Sequence, residues 1–155
     1  MFTDAAAIAL ALQLLGTGPD PRVTVIAAES ARLILGDPYT RTCAFVTEGS
    51  PKIFVGDWCF ALREARQGDA RALAAIIAHE QFHKDAHAPE GPAYQRQLDV
   101  LAQVKAPRKE VDRVKYIQSR VAPSYRVLRS RPLQVRVMMP HVIEEGGLSA
   151  RSDAN

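Results

Sequence analysis

Cysteine and long apolar runs are scarce in this 155-residue sequence, and each scarcity excludes a class of protein. Only Cys43 and Cys59 occur, too few for a disulfide framework and too far apart for a CxxC metal site. We therefore expect both thiols to be reduced and buried in a cytoplasmic protein. No apolar run reaches the roughly 18 residues of a membrane-spanning helix, so we expect no membrane partner.

The apolar stretch at residues 5–15 also lacks the marks of a signal peptide. No Lys or Arg precedes it, and a turn-forming sequence from Gly16 to Pro19 follows it. We expect a helix that packs on the core. The chain length suits one domain, which we assign to residues 1–122, followed by a basic, partly irregular tail at residues 123–155.

Positive charge is concentrated in one segment. Residues 105–136 contain ten Lys and Arg against two acidic residues, although the net charge of the whole chain is only +3. Such a segment can contact an acidic protein or nucleic acid. The alternative is a solvated helix face that continues into a basic tail.

The spacing of apolar residues predicts an α+β fold. Helical periodicity indicates six helices, at residues 3–15, 29–35, 58–66, 70–86, 93–104 and 108–120. Asp57 and Asp69 are candidate N-caps for the third and fourth helices. Residues rich in β-branched side chains indicate strands at 22–26, 42–47 and 52–55, with a further short strand at 135–139. We expect a small antiparallel or mixed sheet, including a hairpin, packed against the fourth and fifth helices.

The fourth helix carries the chemistry. The sequence from His79 to His83 reads HEQFH, and at 3.6 residues per turn its two histidines lie on one helix face, close enough to bind one metal ion. Glu80 points to the side, where its carboxylate can reach a water without being a ligand. A shuffled chain of this composition would contain HExxH about once in two hundred times.

This segment resembles the zincin metallopeptidases, and over residues 70–104 it is similar to the compact gluzincins, or minigluzincins. The resemblance implies a Zn²⁺-dependent hydrolase that cleaves peptide or protein substrates. His79 and His83 would hold the ion, and Glu80 would act as the general base. In gluzincins the third ligand is a glutamate on the next helix, a position matched here by Glu90.

The residues themselves leave the third ligand open. Glu90 can reach the histidine pair if the chain reverses at residues 88–89. His87 would lie about 12 Å from His79 along a continuous helix and could bind only if the helix ends first. A distant Asp, Glu or His141 is the other alternative. A metzincin-type third histidine is excluded because Pro89 occupies its position.

Two further elements could serve catalysis. Tyr94 shares a helix face with Glu90, and its phenol could donate a hydrogen bond to the oxyanion, although such a tyrosine is more often simply packed. In zincin-like folds an edge strand pairs with the extended substrate, and we assign that role to the strand at residues 52–55.

Two rival hypotheses keep the fold but change the function. In one, the domain is a non-catalytic or weakly proteolytic binding module that uses the basic segment to contact nucleic acid or an acidic protein. In the other, the metal is structural and the domain is an interaction scaffold, which would require a closed shell of four protein ligands.

Overall fold

The computed structural model describes residues 1–37 and 42–128, with side chains as far as residue 121. This part of the chain contains six helices and three strands. In chain order they are α1 (Asp4–Leu14), β1 (Val23–Ile26), α2 (Ala28–Leu35), β2 (Ala44–Val46), β3 (Ile53–Gly56), α3 (Phe60–Arg66), α4 (Arg71–Ala86), α5 (Glu90–Gln103) and α6 (Arg108–Leu128). The predicted α+β class is confirmed.

The three strands form a mixed sheet in the order β1-β3-β2. β2 and β3 are the predicted antiparallel hairpin, and β1 pairs with β3 in parallel. The prediction that residues 52–55 form an edge strand is wrong, because β1 occupies the far side of β3 and makes it the central strand. β2 is the edge strand on the side of the hairpin, and it also contacts α4.

α4 is the central helix of the core. Its residues from Ala72 to Glu80 are buried without interruption, and the helix contacts α1, α3, α5 and the two hairpin strands. Leu73 and Ile77 are completely buried. Burial of each such side chain contributes about 1.5–3 kcal/mol to folding. The helix that carries both histidines is therefore held from several sides.

The two aspartates expected to cap helices do not act as predicted. The N-cap of α3 is Cys59, not Asp57. The backbone N–H of Asp57 donates to the carbonyl of Ile26, which ties Asp57 to the end of β1. The N-cap of α4 is Ala70, not Asp69. The side chain of Asp69 accepts a hydrogen bond from the backbone N–H of Arg71 at 3.2 Å.

Two helices are longer than predicted. α5 begins at Glu90, three residues earlier than expected, because a proline such as Pro92 is tolerated in the first turn, where its missing N–H has no intrahelical partner. α6 continues past Pro123 to Leu128, because a proline can kink a helix without ending it.

The prediction of reduced cysteines is wrong in this structure. Cys43 and Cys59 form a disulfide, and Cys59 is only 2% exposed. Cys43 lies just before β2 and Cys59 just before α3. The backbone N–H of Gly56 donates to the carbonyl of Cys43, which holds the two segments together and leaves the two Cα atoms 4.8 Å apart.

Within the described ranges, no helix is long and apolar enough to span a membrane. The strand predicted at residues 135–139 lies outside the described residues, as does most of the predicted C-terminal tail.

Candidate metal centre

The two histidines of α4 face one another. The Nε2 atoms of His79 and His83 are 3.0 Å apart, and the rings meet edge to face at 4.7 Å between centroids. His79 is nearly buried and His83 half-buried. The spacing of four residues thus produces the shared face that the sequence predicts.

Glu90 reaches this pair through a tight reversal between α4 and α5. His87 has φ 48°, a left-handed conformation that ends α4, and three residues later Glu90 opens α5. One carboxylate oxygen of Glu90 lies 3.5 Å from Nε2 of His79, and the other lies 3.5 Å from Nε2 of His83. His79, His83 and Glu90 are therefore brought together at a single point.

The three side chains fit a tetrahedral metal. Zinc binds histidine nitrogen and carboxylate oxygen at about 2.0–2.2 Å, which places neighbouring ligand atoms about 3.4 Å apart. The two histidine nitrogens are 3.0 Å apart, and each lies 3.5 Å from a different oxygen of Glu90. When one ligand atom is taken from each residue, the three atoms lie within 4.8 Å of one another. The described residues therefore contain a group that could hold a metal ion.

Hydrogen bonding prepares His83 as a ligand. Its Nδ1 lies 2.7 Å from the carbonyl oxygen of Ala88. A carbonyl only accepts, so Nδ1 must carry the proton, and in the neutral ring the lone pair is then on Nε2, facing the group. Nδ1 of His79 is buried without a hydrogen-bond partner among the described residues, so the polar contacts of this ring are made by Nε2.

Opposite charges stabilise the site in the absence of metal. Hydrogen bonds from the side chains of His79 and His83 hold the pKa of Glu90 at about 2, although burial opposes this shift. Burial alone would lower the pKa of His83, but contacts with Glu90 and the carbonyl of Ala88 outweigh it and raise the pKa. A metal ion binds neutral imidazole, so its entry would release any proton held between the histidines and Glu90.

Glu80 and Tyr94 lie beside the candidate ligands. Glu80 is 7% exposed, and burial raises its pKa, opposed by the neighbouring histidines. The ring of Tyr94 packs on His79 at 4.5 Å between centroids. Burial and the negative charges of Glu90 and Glu80 raise the pKa of Tyr94 to about 12, so its phenol keeps its proton and can donate it in a hydrogen bond.

A cavity of about 650 Å³ opens next to this group. His79, Glu80, Glu90 and Tyr94 all line it, so the candidate base and two of the three candidate ligands face the same space. The disulfide and β2 form part of one wall, and α6 forms part of another. The volume is in the range of pockets that bind small ligands, and it suits a few residues of a peptide.

A network of polar side chains anchors the same end of α4, and the sequence reasoning missed it. Arg22 pairs with both Asp20 and Asp85, and the side-chain amide of Gln81 donates to Asp20 at 2.9 Å. Gln81 lies between the two histidines in the chain, so the network fixes the rotation of α4. No local spacing reveals it, because Asp20 and Gln81 are 61 residues apart.

The other sequence candidates lie elsewhere. His87 is exposed and contributes no atom to the group of possible ligands. His141 lies outside the described residues. Of the basic segment at residues 105–136, the structure describes side chains only to residue 121, along α6, and contact with nucleic acid or an acidic protein stays a prediction.

Comparison with protein-family models, with curated proteins and with solved structures finds no significant match to this chain. The interpretation of the site therefore depends on its own residues and their geometry.

Proposed function

We propose that this protein is a zinc-dependent metallopeptidase. The observation that carries the proposal is the convergence of His79, His83 and Glu90, with ligand atoms within 4.8 Å of one another, beside a buried glutamate. Two imidazoles and one carboxylate form a donor set that suits zinc, and three protein ligands are typical of catalytic zinc sites.

The surroundings of the group favour a catalytic metal over a structural one. A structural zinc site has four protein ligands and is closed. Within residues 1–37 and 42–121, three side chains supply ligand atoms, and the cavity borders the same group. Space therefore exists beside the three ligands for a water molecule and for a substrate carbonyl.

Glu80 is the proton carrier in this proposal. When bound, zinc supplies Lewis-acid chemistry, making a water more acidic and polarising the scissile carbonyl. Glu80 takes the proton of that water on its carboxylate and later delivers it to the leaving amine. Its buried position keeps the carboxylate away from bulk water, and the raised pKa suits a group that must hold the proton between the two steps.

Tyr94 is a candidate hydrogen-bond donor to the negative charge that develops on the substrate oxygen. Its hydroxyl keeps its proton over the physiological range because its pKa is raised to about 12. Its ring packs against His79, and the residue lines the cavity beside the group. A preorganised donor of this kind stabilises a transition state more than a ground state.

The edge strand supports a peptide as the substrate. β2 pairs with β3 on one side, and Ala44 of β2 lines the cavity. The other edge of this strand has no partner strand among those described. An extended peptide could add to it through backbone hydrogen bonds while its scissile bond lies in the cavity.

Metal analysis tests the proposal most directly. Protein purified without chelators and reconstituted with zinc should contain about one equivalent, and His83→Ala should retain much less. Glu90→Gln should weaken retention, whereas Glu29→Gln, the same change at an exposed site on α2, should not. Absence of zinc from the reconstituted wild type would refute the proposal. A filled site without turnover of any peptide would favour the hypothesis of a binding module.

A further inference from the structure

The cavity extends from the candidate metal group to a charged pair on α6. Its walls also include the apolar side chains of Phe60, Leu101, Val114 and Ile117. At the α6 end lie Glu110 and Arg113.

Arg113 is held in place by two neighbours. Its Nη1 donates to Oε2 of Glu110 at 3.2 Å, and its guanidinium lies 4.3 Å above the ring of Phe60. Glu110 is only 6% exposed, whereas Arg113 is 48% exposed. Among residues with described side chains, Glu110 is the one hydrogen-bond acceptor for Arg113. A guanidinium has five N–H groups, so four remain for a ligand.

Lys109 does not line the cavity and is shared between two carboxylates. Its Nζ lies 3.9 Å from Oε1 of Glu110 and 4.0 Å from Oε1 of Glu64, too far for hydrogen bonds but close enough for attraction. Among the described residues that line the cavity, Arg113 is the one Lys or Arg. Its guanidinium offers a carboxylate both a positive charge and a planar N–H pair that binds it in two places.

α6 runs past the candidate metal group. The side-chain amide of Gln118 donates to the carbonyl of Gly91, next to Glu90, so this turn of α6 lies beside the start of α5. Arg113 precedes Gln118 by five residues, or about 7.5 Å of rise along the helix axis. This rise corresponds to about two residues of extended chain.

We propose that Arg113 binds a carboxylate of the substrate, one or two residues after the scissile bond. This inference rests on the proposed peptidase function and names its substrate class. The carboxylate is either the C-terminus of a short peptide or the side chain of an aspartate or glutamate. Glu110 acts as a positioning residue, because it holds the guanidinium of Arg113 and does not itself bind the substrate carboxylate.

Binding of small probes tests the inference without hydrolysis. In the Glu80→Gln protein, N-acetyl-alanyl-leucine should bind about tenfold more tightly than its C-terminal amide, measured by calorimetry with zinc and after chelation. Arg113→Gln should abolish this difference. Arg108→Gln removes an exposed charge from the same helix and should preserve it. Arg113→Lys, a milder change, should reduce the difference if Arg113→Gln does not fold.

A third probe separates the two sources of the carboxylate. If N-acetyl-alanyl-glutamate amide binds as tightly as N-acetyl-alanyl-leucine, Arg113 accepts a side-chain carboxylate. If it binds as weakly as the leucine amide, the terminal carboxylate is required. Equal binding of acid and amide to the Glu80→Gln protein would overturn the inference. So would a difference that survives Arg113→Gln but vanishes on chelation, because the metal would then bind the probe. Failure of the wild type to hydrolyse peptides would instead refute the proposed function.

Discussion

Replacement of Glu80 by Gln separates proton transfer from metal binding and from folding. The change keeps the size of the side chain and removes its basicity. The zinc-loaded variant should lose between about 10²-fold and 10⁴-fold in peptide hydrolysis, the usual contribution of a general base. This loss corresponds to about 2.7–5.5 kcal/mol of transition-state free energy.

The structure predicts that folding will not suffer. Glu80 is 7% exposed, and burial raises its pKa, which means that burial disfavours the charged form of this side chain in the folded protein. A folded pKa above the unfolded value means that the charged group opposes folding above that pKa. In the metal-free protein, Glu80→Gln should therefore leave the unfolding free energy unchanged or raise it.

Three measurements on one preparation test this reasoning. These are zinc content by elemental analysis, the midpoint of thermal unfolding, and kcat/KM on a peptide cleaved by the wild type. Glu29→Gln, the same chemical change on the exposed face of α2, should match the wild type in all three. Turnover by Glu80→Gln within a few-fold of wild type would show that another group, or a contaminating enzyme, is responsible.

Three further changes test the surrounding structure. Gly56→Ala should destabilise the protein by about 1–3 kcal/mol in chemical denaturation, because the added Cβ would lie 2.5 Å from the ring of Trp58; unchanged stability would contradict this packing. His87→Gly should stabilise by about 1 kcal/mol by relieving a left-handed conformation, and should retain zinc; loss of zinc would identify His87 as a ligand. Arg22 holds the pKa of Asp20 at about 2, below its ordinary 3.8, so this carboxylate stabilises the fold above about pH 4 and loses its effect as the pH falls through 2. Asp20→Asn should lower the unfolding free energy by about 1–2 kcal/mol at pH 7 and should make it depend less on pH between 4 and 2. An unchanged pH dependence in this range would argue against the ion pair.

Local geometry explains which parts of the site the sequence could predict. His79 and His83 belong to one helix, and a repeat of 3.6 residues per turn dictates their shared face wherever that helix lies. The position of Glu90 depends on the chain reversal between α4 and α5. That reversal requires a left-handed residue at His87, a conformation that no neighbouring glycine signals. The sequence therefore allows several candidates for the third ligand, whereas among the described residues the structure brings Glu90 to the histidine pair.

Contacts between distant segments explain the errors in the fold. The edge strand was misassigned because the hairpin pattern defines only the pairing of β2 with β3, whereas parallel pairing with β1 is a long-range contact. The disulfide was missed for a similar reason. A separation of 16 residues between Cys43 and Cys59 has no characteristic spacing. The two cysteines meet because β2 pairs with β3 and the chain then turns, with the N–H of Cys59 donating to the carbonyl of Gly56.

The same reasoning separates the two ends of the cavity. The metal end is built mainly from α4 and the first turn of α5, so a local motif marks it in the sequence. The other end depends on the packing of α6 against α5 and α3, which puts Arg113 over Phe60 from a segment 53 residues away. In the sequence, Arg113 is one of ten cations in a basic stretch, and nothing distinguishes it from its solvated neighbours. Burial of Glu110 distinguishes it in the structure, because a buried carboxylate that holds one guanidinium orients that cation toward the cavity. Chemistry at the metal can thus be inferred from sequence, whereas selectivity for substrate charge has to be inferred from tertiary packing.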